Sequence, residues 1–339
     1  MKYKFWLIGI GLILAGFGVW RYLPRIERTV FSPRGEVTKQ LEKPYTKYSF
    51  SRLAERGGRP GKIEIGRQIA SGEGYEARMF YYHSEGRRIS GMLTWPIGPE
   101  SNTKPVVVMA RGYVDKETYQ TGVGTKNAAI YYALHGYIVL APDFLGYGES
   151  DPEDENALGA RLTKPVEILD LLATVTNIAQ ADGSRVFLWG HSNGGQIMLS
   201  VAEILRGDSS KSGVRGATLW APVSKPFPYS ILYYTDEADD QGKWLRAEVA
   251  KFESEYDVYN YSIDKYLDWI DLPIQIHQGS ADESVPKKWT DEIVTRLKGQ
   301  DKSVNYYLYP GADHNLKPGW DTVVERDIEW FEKLAENQE

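Results

Sequence analysis

Ten residues constrain this chain more than any others: Val186-Phe187-Leu188-Trp189-Gly190-His191-Ser192-Asn193-Gly194-Gly195. Four apolar residues stop abruptly at Gly-x-Ser-x-Gly, and an apolar helical pattern follows over residues 196–205. That order predicts a strand, a sharp turn and a helix, with the serine pushed out of the backbone at the tip. A Cβ two residues before or after the serine would collide with neighbouring backbone, so Gly190 and Gly194 fill both places. Gly195 lets the helix sit close to the strand. Ser192 then stands at a helix N-terminus, where free N–H groups and the helix dipole favour a developing negative charge. The pattern predicts a nucleophile, against the alternative of a glycine-rich structural turn.

Composition narrows the chemistry. The 339 residues allow one large domain or two ordinary ones, and 42% apolar with 25% charged residues is globular usage. A net charge of −6 gives no electrostatic ground for binding nucleic acid. The chain has no cysteine, which excludes disulfides, thiolate metal sites and a cysteine nucleophile. No metal-ligand spacing occurs, and residues 122–126 lack the spacing of a phosphate loop, so neither metal nor cofactor is expected.

The N-terminal residues 1–4 are short and basic, and residues 5–20 carry no charge. Extended to Leu23 with Arg21 snorkelling, this run approaches the roughly 20 residues of a membrane span. Phe5, Trp6, Trp20 and Tyr22 suit the two interfaces. Residues 1–23 are therefore expected to form a single-pass transmembrane helix, with the catalytic domain outside the cytoplasm; a cleaved signal peptide is the alternative. Residues 24–61 are polar, broken by Pro33, Pro44 and Gly57-Gly58, and read as a linker with a short helix near residues 49–56. From residue 62 to 339 strands and helices alternate. Eight strands are predicted, at residues 77–83, 88–95, 105–110, 137–141, 186–189, 216–221, 273–277 and 304–309. The first two form a hairpin; the rest, separated by helices, predict an α/β domain with a mostly parallel sheet covered on both faces. Residues 224–268 are an insertion expected to form a small helical cap.

A hydrolytic serine needs a base, and five histidines are available. His83 lies within an early strand, His135 ends a helix, His191 points away from the serine, and His277 belongs to the sheet wall. His314 lies in Pro310-Gly311-Ala312-Asp313-His314-Asn315, a loop directly after the last strand, where ligands of an open α/β sheet collect. It is the expected general base. The loop after the preceding strand reads Gly279-Ser280-Ala281-Asp282-Glu283, and Asp282 is the expected orienting acid, with Glu283 the fallback. An oxyanion needs two donors: the backbone N–H of Asn193, and that of Tyr113 in Arg111-Gly112-Tyr113 after the strand at residues 105–110.

Nucleophile, acid and base in the order Ser192, Asp282, His314 are similar to the α/β-hydrolase superfamily. Over residues 62–339 the chain resembles the catalytic domain of prolyl-oligopeptidase-type serine peptidases and the bacterial esterases that share it. The hairpin ahead of the sheet and the segment Gly136-Tyr137-Ile138-Val139-Leu140-Ala141-Pro142-Asp143-Phe144-Leu145-Gly146-Tyr147-Gly148 belong to that likeness, with Asp143 read as structural. The chain departs from the superfamily at Arg111, where histidine is usual. The residues ahead of the domain are too few for the β-propeller of the full peptidases, so an ungated peptidase is expected if it is one. The resemblance implies cleavage of a small ester or short peptide through an acyl-serine intermediate. A carboxylesterase, lipase or thioesterase is the alternative, and a non-catalytic binding protein on the same scaffold a further one. In the insertion, Phe227, Tyr229, Tyr233, Tyr234 and Trp244 with Asp236, Glu237, Asp239 and Asp240 suggest either an aromatic pocket with an acidic rim or ordinary amphipathic helices; the second is the expectation.

Overall fold

Alternation along three central strands decides how this chain is layered. The computed structural model describes residues 43–98, 103–206, 213–235 and 238–336. In β4 (Lys104–Ala110), Val106, Val108 and Ala110 face one core while Val107 and Met109 face the other. Ile138 and Leu140 of β5 (Ile138–Pro142) and Val186 and Leu188 of β6 (Ala181–His191) join the first core; Val139, Phe187 and Trp189 join the second. Successive side chains of a strand point to opposite faces, so an uninterrupted apolar run is stable only when both faces are covered. Helices Lys164–Thr174 and Asn193–Leu205 cover the first, and Lys126–Leu134 and Trp320–Glu336 the second. Each fully buried Val, Leu, Ile or Phe contributes about 1.5–3 kcal/mol, so these strands anchor the fold.

The sheet has nine strands rather than the eight expected, ordered β1-β2-β3-β5-β4-β6-β7-β8-β9. The extra one is β1 (Glu64–Gly72), an edge strand pairing antiparallel with β2 (Tyr75–Ser84) through two register irregularities. Its residues are exposed or half-buried throughout. Irregularities break the period-2 pattern by which a strand is recognised. β2 turns into β3 (Arg87–Pro96) across Glu85-Gly86, both at positive φ (52° and 79°), the conformation of a tight hairpin. From β5 onward all pairings are parallel.

Register aligns the carboxyl ends. Ala110 of β4 pairs with Gly190 of β6, His191 with Trp220 of β7 (Val214–Trp220), Trp220 with His277 of β8 (Ile274–Gly279), and Gly279 with Tyr309 of β9 (Val304–Tyr309). The loops after β4, β6, β8 and β9 therefore leave the sheet at one edge.

Tyr45–Glu339 forms one unit. Within it the helix Phe50–Arg56, in the stretch read as linker, buries Phe50 and Leu53 in the first core. Arg56 holds the buried carboxylate of Asp170 with two hydrogen bonds of 2.7 and 2.8 Å. The insertion is helical, with Tyr229–Leu232, Lys243–Glu255 and short 3-10 turns. Its aromatics divide: Phe227 is core, Trp244 is exposed, and Tyr229, Tyr233 and Tyr234 cluster on Trp289. The expected anchor at residues 1–23 lies outside the described residues. Among the described residues no helix is long and apolar enough to cross a membrane.

Candidate active site

β6 ends at His191, the helix begins at Asn193, and Ser192 between them has φ 56° and ψ −120°. A non-glycine residue at positive φ stores strain of order 1–3 kcal/mol. Four hydrogen bonds hold it there: Ser192 N–H donates to the Trp220 carbonyl at 2.9 Å, and its own carbonyl accepts from Gly195 N–H at 2.9 Å, Val223 N–H at 3.0 Å and Gln196 N–H at 3.4 Å. The glycines follow from contact distances. A Cβ on Gly190 would lie 2.6 Å from the Gly194 carbonyl oxygen, and one on Gly194 only 1.9 Å from that of Ala110. Gly195 presses on Pro222, where a Cβ would come within 2.6 Å.

Asp282 and His314 meet across the loops after β8 and β9. The imidazole Nδ1 lies 2.9 Å from Asp282 Oδ2 and 3.1 Å from Oδ1. Asp282 is further gripped by the backbone N–H groups of Ser284 (2.9 Å) and Val285 (2.8 Å) and by Gln278 Nε2 (3.0 Å). Burial raises the carboxyl pKa, but the imidazole and the backbone donors outweigh it and hold Asp282 below its ordinary range. Its side chain is 0% exposed and that of His314 20%, while Glu283 faces solvent. With Nδ1–H given to the carboxylate, Nε2 of a neutral His314 carries the lone pair. Among the described residues Ser192 Oγ makes no hydrogen bond.

His191 fixes the base's backbone. Its Nε2 lies 2.9 Å from the His314 carbonyl oxygen, which can only accept, so the proton resides on Nε2. The two rings stand 4.7 Å apart. Burial first, then the neighbouring His314, pushes the His191 pKa down to about 4 and keeps it neutral.

On the opposite flank, Gly112 lies against the serine: a Cβ there would be 3.1 Å from Ser192 Cβ and 3.6 Å from Oγ. Arg111 turns back beneath this loop, buried, and donates to the carbonyls of Gly112 (2.9 Å) and Asp143 (3.1 Å). Its guanidinium sits over the rings of Tyr119 and Tyr147. Asp143 accepts from Ser90, Tyr119 and Thr121. The backbone N–H of Asn193 lies in the first helical turn, where no intrahelical acceptor exists. The Tyr113 side chain is 75% exposed, and its phenol donates to Asp115, which pushes its pKa up to about 12.

The remaining histidines are accounted for. His277 is fully buried between Tyr309 and Asp327, His135 bonds the Tyr131 carbonyl, and His83 is exposed on β2. Sequence reasoning did not find Arg161, in the last turn of the helix Ala157–Leu162, and Lys164, at the start of the helix Lys164–Thr174, which line a small cavity with Asn193. A larger cavity of about 570 Å³ between Ala54, Leu169, Leu172 and Leu205 contains no imidazole, so chemistry and not size singles out Ser192.

Solved structures with this fold include acetyl xylan esterase 1 from Thermoanaerobacterium sp. JW/SL YS485, at 16% identity and TM-score 0.59 over 84% of this chain and 94% of that one. Another is the acylaminoacyl peptidase of Pyrococcus horikoshii, at 17% identity and TM-score 0.57 over 78% of this chain and 44% of that one, so the chain spans under half of that peptidase. Est1E of Butyrivibrio proteoclasticus, solved with ferulic acid, matches at 18% identity and TM-score 0.53 over 75% of this chain and 98% of that one. These likenesses establish the α/β-hydrolase fold. No curated protein matches the sequence. The sequence model of the prolyl oligopeptidase family matches residues 124–338, well over half of the chain, and the chain belongs to that family.

Proposed function

We propose that Ser192, His314 and Asp282 are the working triad of this serine hydrolase, which cleaves an ester or amide bond through an acyl-Ser192 intermediate. In that reading Ser192 Oγ attacks the scissile carbonyl carbon while His314 Nε2 takes its proton. Asp282 holds the Nδ1 proton and stabilises the imidazolium. The N–H groups of Asn193 and Tyr113 receive the oxyanion, each such donor being worth about 3–4 kcal/mol in the transition state. Collapse of the tetrahedral intermediate returns the proton to the leaving group. Water repeats the sequence on the acyl-enzyme and releases the acid.

The observation that carries the proposal is the strained Ser192 at φ 56°. A side chain held in that conformation, at the edge where an acid-paired imidazole also lies, is hard to account for as a mere turn. The peptidase and esterase readings share this chemistry and differ only in the leaving group. Labelling with a fluorophosphonate tests it: the wild-type chain should become covalently modified and Ser192→Ala should not. Labelling that persists in Ser192→Ala overturns the assignment. Turnover of aryl esters against dipeptidyl amides then separates the two substrate classes.

A further inference from the structure

Two cations share a cavity with Asn193, the residue after the proposed nucleophile, and among the described residues neither has an acid paired to it. Arg161 closes the short helix Ala157–Leu162, and Lys164 opens the helix Lys164–Thr174. Arg161 Nη2 donates to Asn193 Oδ1 at 3.1 Å and to Gln196 Oε1 at 2.5 Å. Both acceptors are neutral amides in the first turn of the helix that follows Ser192. Lys164 Nζ lies 5.4 Å from the centre of the Phe144 ring and 5.8 Å from that of Tyr147. Among the described residues no carboxylate is within ion-pair distance of either cation. The nearest acids are otherwise engaged: Glu153 pairs with Lys116, and Glu167 is buried with one oxygen on the Leu145 N–H and the other unpartnered. Burial pushes the Glu167 pKa up, and Lys164 pulls it back in part.

The cations pay for this placement. Burial pulls Arg161 down to about 10, and burial with the charges of Arg111 and Arg161 pulls Lys164 down to about 8 against the opposing pull of Glu167. Both side chains are half-buried, and a charge drawn partly out of water is ordinarily paired, because an unpaired one loses part of its hydration. Arg161, Lys164 and Asn193 line one cavity of about 40 Å³, roughly the space of three waters and enough for a carboxylate.

We propose that this cavity is an anion subsite, and that the substrate cleaved at Ser192 carries a carboxylate which lies against Lys164 and Arg161. The proposal rests on the hydrolase reading for the word substrate, but the subsite itself does not.

Calorimetric titration of the full chain with a dicarboxylate series, malonate through adipate, tests it, with valeramide as the uncharged control. At least one dicarboxylate should bind saturably and valeramide should not. In Lys164→Met, and separately in Arg161→Met, the affinity for that dicarboxylate should fall at least about tenfold. No saturable binding by any dicarboxylate to wild type overturns the proposal without recourse to a variant. Unchanged affinity in both variants overturns it as well. Fluorophosphonate labelling of the same samples is read separately. Labelled Ser192 without dicarboxylate binding removes the anion subsite alone, and dicarboxylate binding without any labelling keeps the subsite while removing the hydrolase reading.

Discussion

Arg111 does at one position what an imidazole in that place could do only in part. The carbonyl and N–H of one trans peptide point in opposite directions. By donating to the Gly112 carbonyl at 2.9 Å, Arg111 turns the Tyr113 N–H of the same peptide the other way. A neutral imidazole has a single donor, whereas the guanidinium fork also reaches the Asp143 carbonyl at 3.1 Å. Arg111→Met keeps much of the packing against Tyr119 and Tyr147 and removes both hydrogen bonds. It is expected to lower kcat by about 10- to 100-fold, less than the roughly 100- to 1,000-fold for losing an oxyanion donor outright because the Tyr113 N–H remains and only its orientation loosens, with KM changed less than about 2-fold. A raised KM at unchanged kcat would show that the loop serves binding and not the transition state. The sequence displays Arg111 as a departure from the superfamily but hides its remedy. Tyr119 and Tyr147 come to it only through tertiary folding, and no local spacing announces them.

At the scale of elements, legibility followed burial. Strands β4 to β8 announce themselves by apolar runs bounded by turn residues, and the serine turn by its glycines. β1 does not, because a half-exposed edge strand with two irregularities has no clean period. Helix Asn193–Leu205 was legible as a helix but not in its surroundings. Glu203 would be assigned to a solvated face, yet it is fully buried with neither oxygen partnered. The insertion explains this: its 3-10 turns Ile263–Lys265 and Leu267–Trp269 pack on this helix. Burial, then Asp264, drives the Glu203 pKa well above its ordinary value, so the folded state holds it neutral. A carboxyl raised on folding contributes stability that is present below its unfolded pKa and lost as pH rises through the folded one. Glu203→Gln removes that titration. Its melting temperature should exceed that of wild type by about 2 °C or more at pH 8, with the gap closing by about pH 4. A gap that stays constant with pH would trace the effect to packing.

Across the whole molecule, Asp327 joins what the sequence keeps far apart. It sits on the apolar face of helix Trp320–Glu336, fully buried, among Val323, Val324, Ile328 and Phe331. A carboxylate there would be ruinous without donors. Five side chains supply them: Tyr132 Oη (2.7 Å), Trp220 Nε1 (2.9 Å), Thr218 Oγ1, Gln275 Nε2 (2.9 Å) and His277 Nε2 (3.0 Å). Helix Lys126–Leu134 and strands β7 and β8 are thereby fastened to the last helix. His277 Nδ1 bonds Tyr309 Oη at 2.7 Å, at the root of the loop that carries His314. Helical spacing places Asp327 in an apolar stripe, but its partners, one of them 195 residues away, exist only in the fold. Burial raises its pKa, and His277 with the other donors more than offsets this, leaving it below the ordinary carboxyl value of 3.8. A carboxyl lowered on folding contributes stability that is present above its unfolded pKa and lost as pH falls through the folded one. Asp327→Ala takes the shared acceptor from five buried donors, of which Gln275 keeps a 3.4 Å bond to the Arg326 carbonyl, and is expected to cost about 3–5 kcal/mol in urea unfolding at pH 7. The wild-type advantage should narrow as pH falls below 3.8. Since Ser192, His314 and Asp282 are not among its partners, folded Asp327→Ala at low temperature should still label with fluorophosphonate. If the variant unfolds at the wild-type urea concentration, the apolar layers alone hold this helix to the sheet, and the buried network adds nothing to stability.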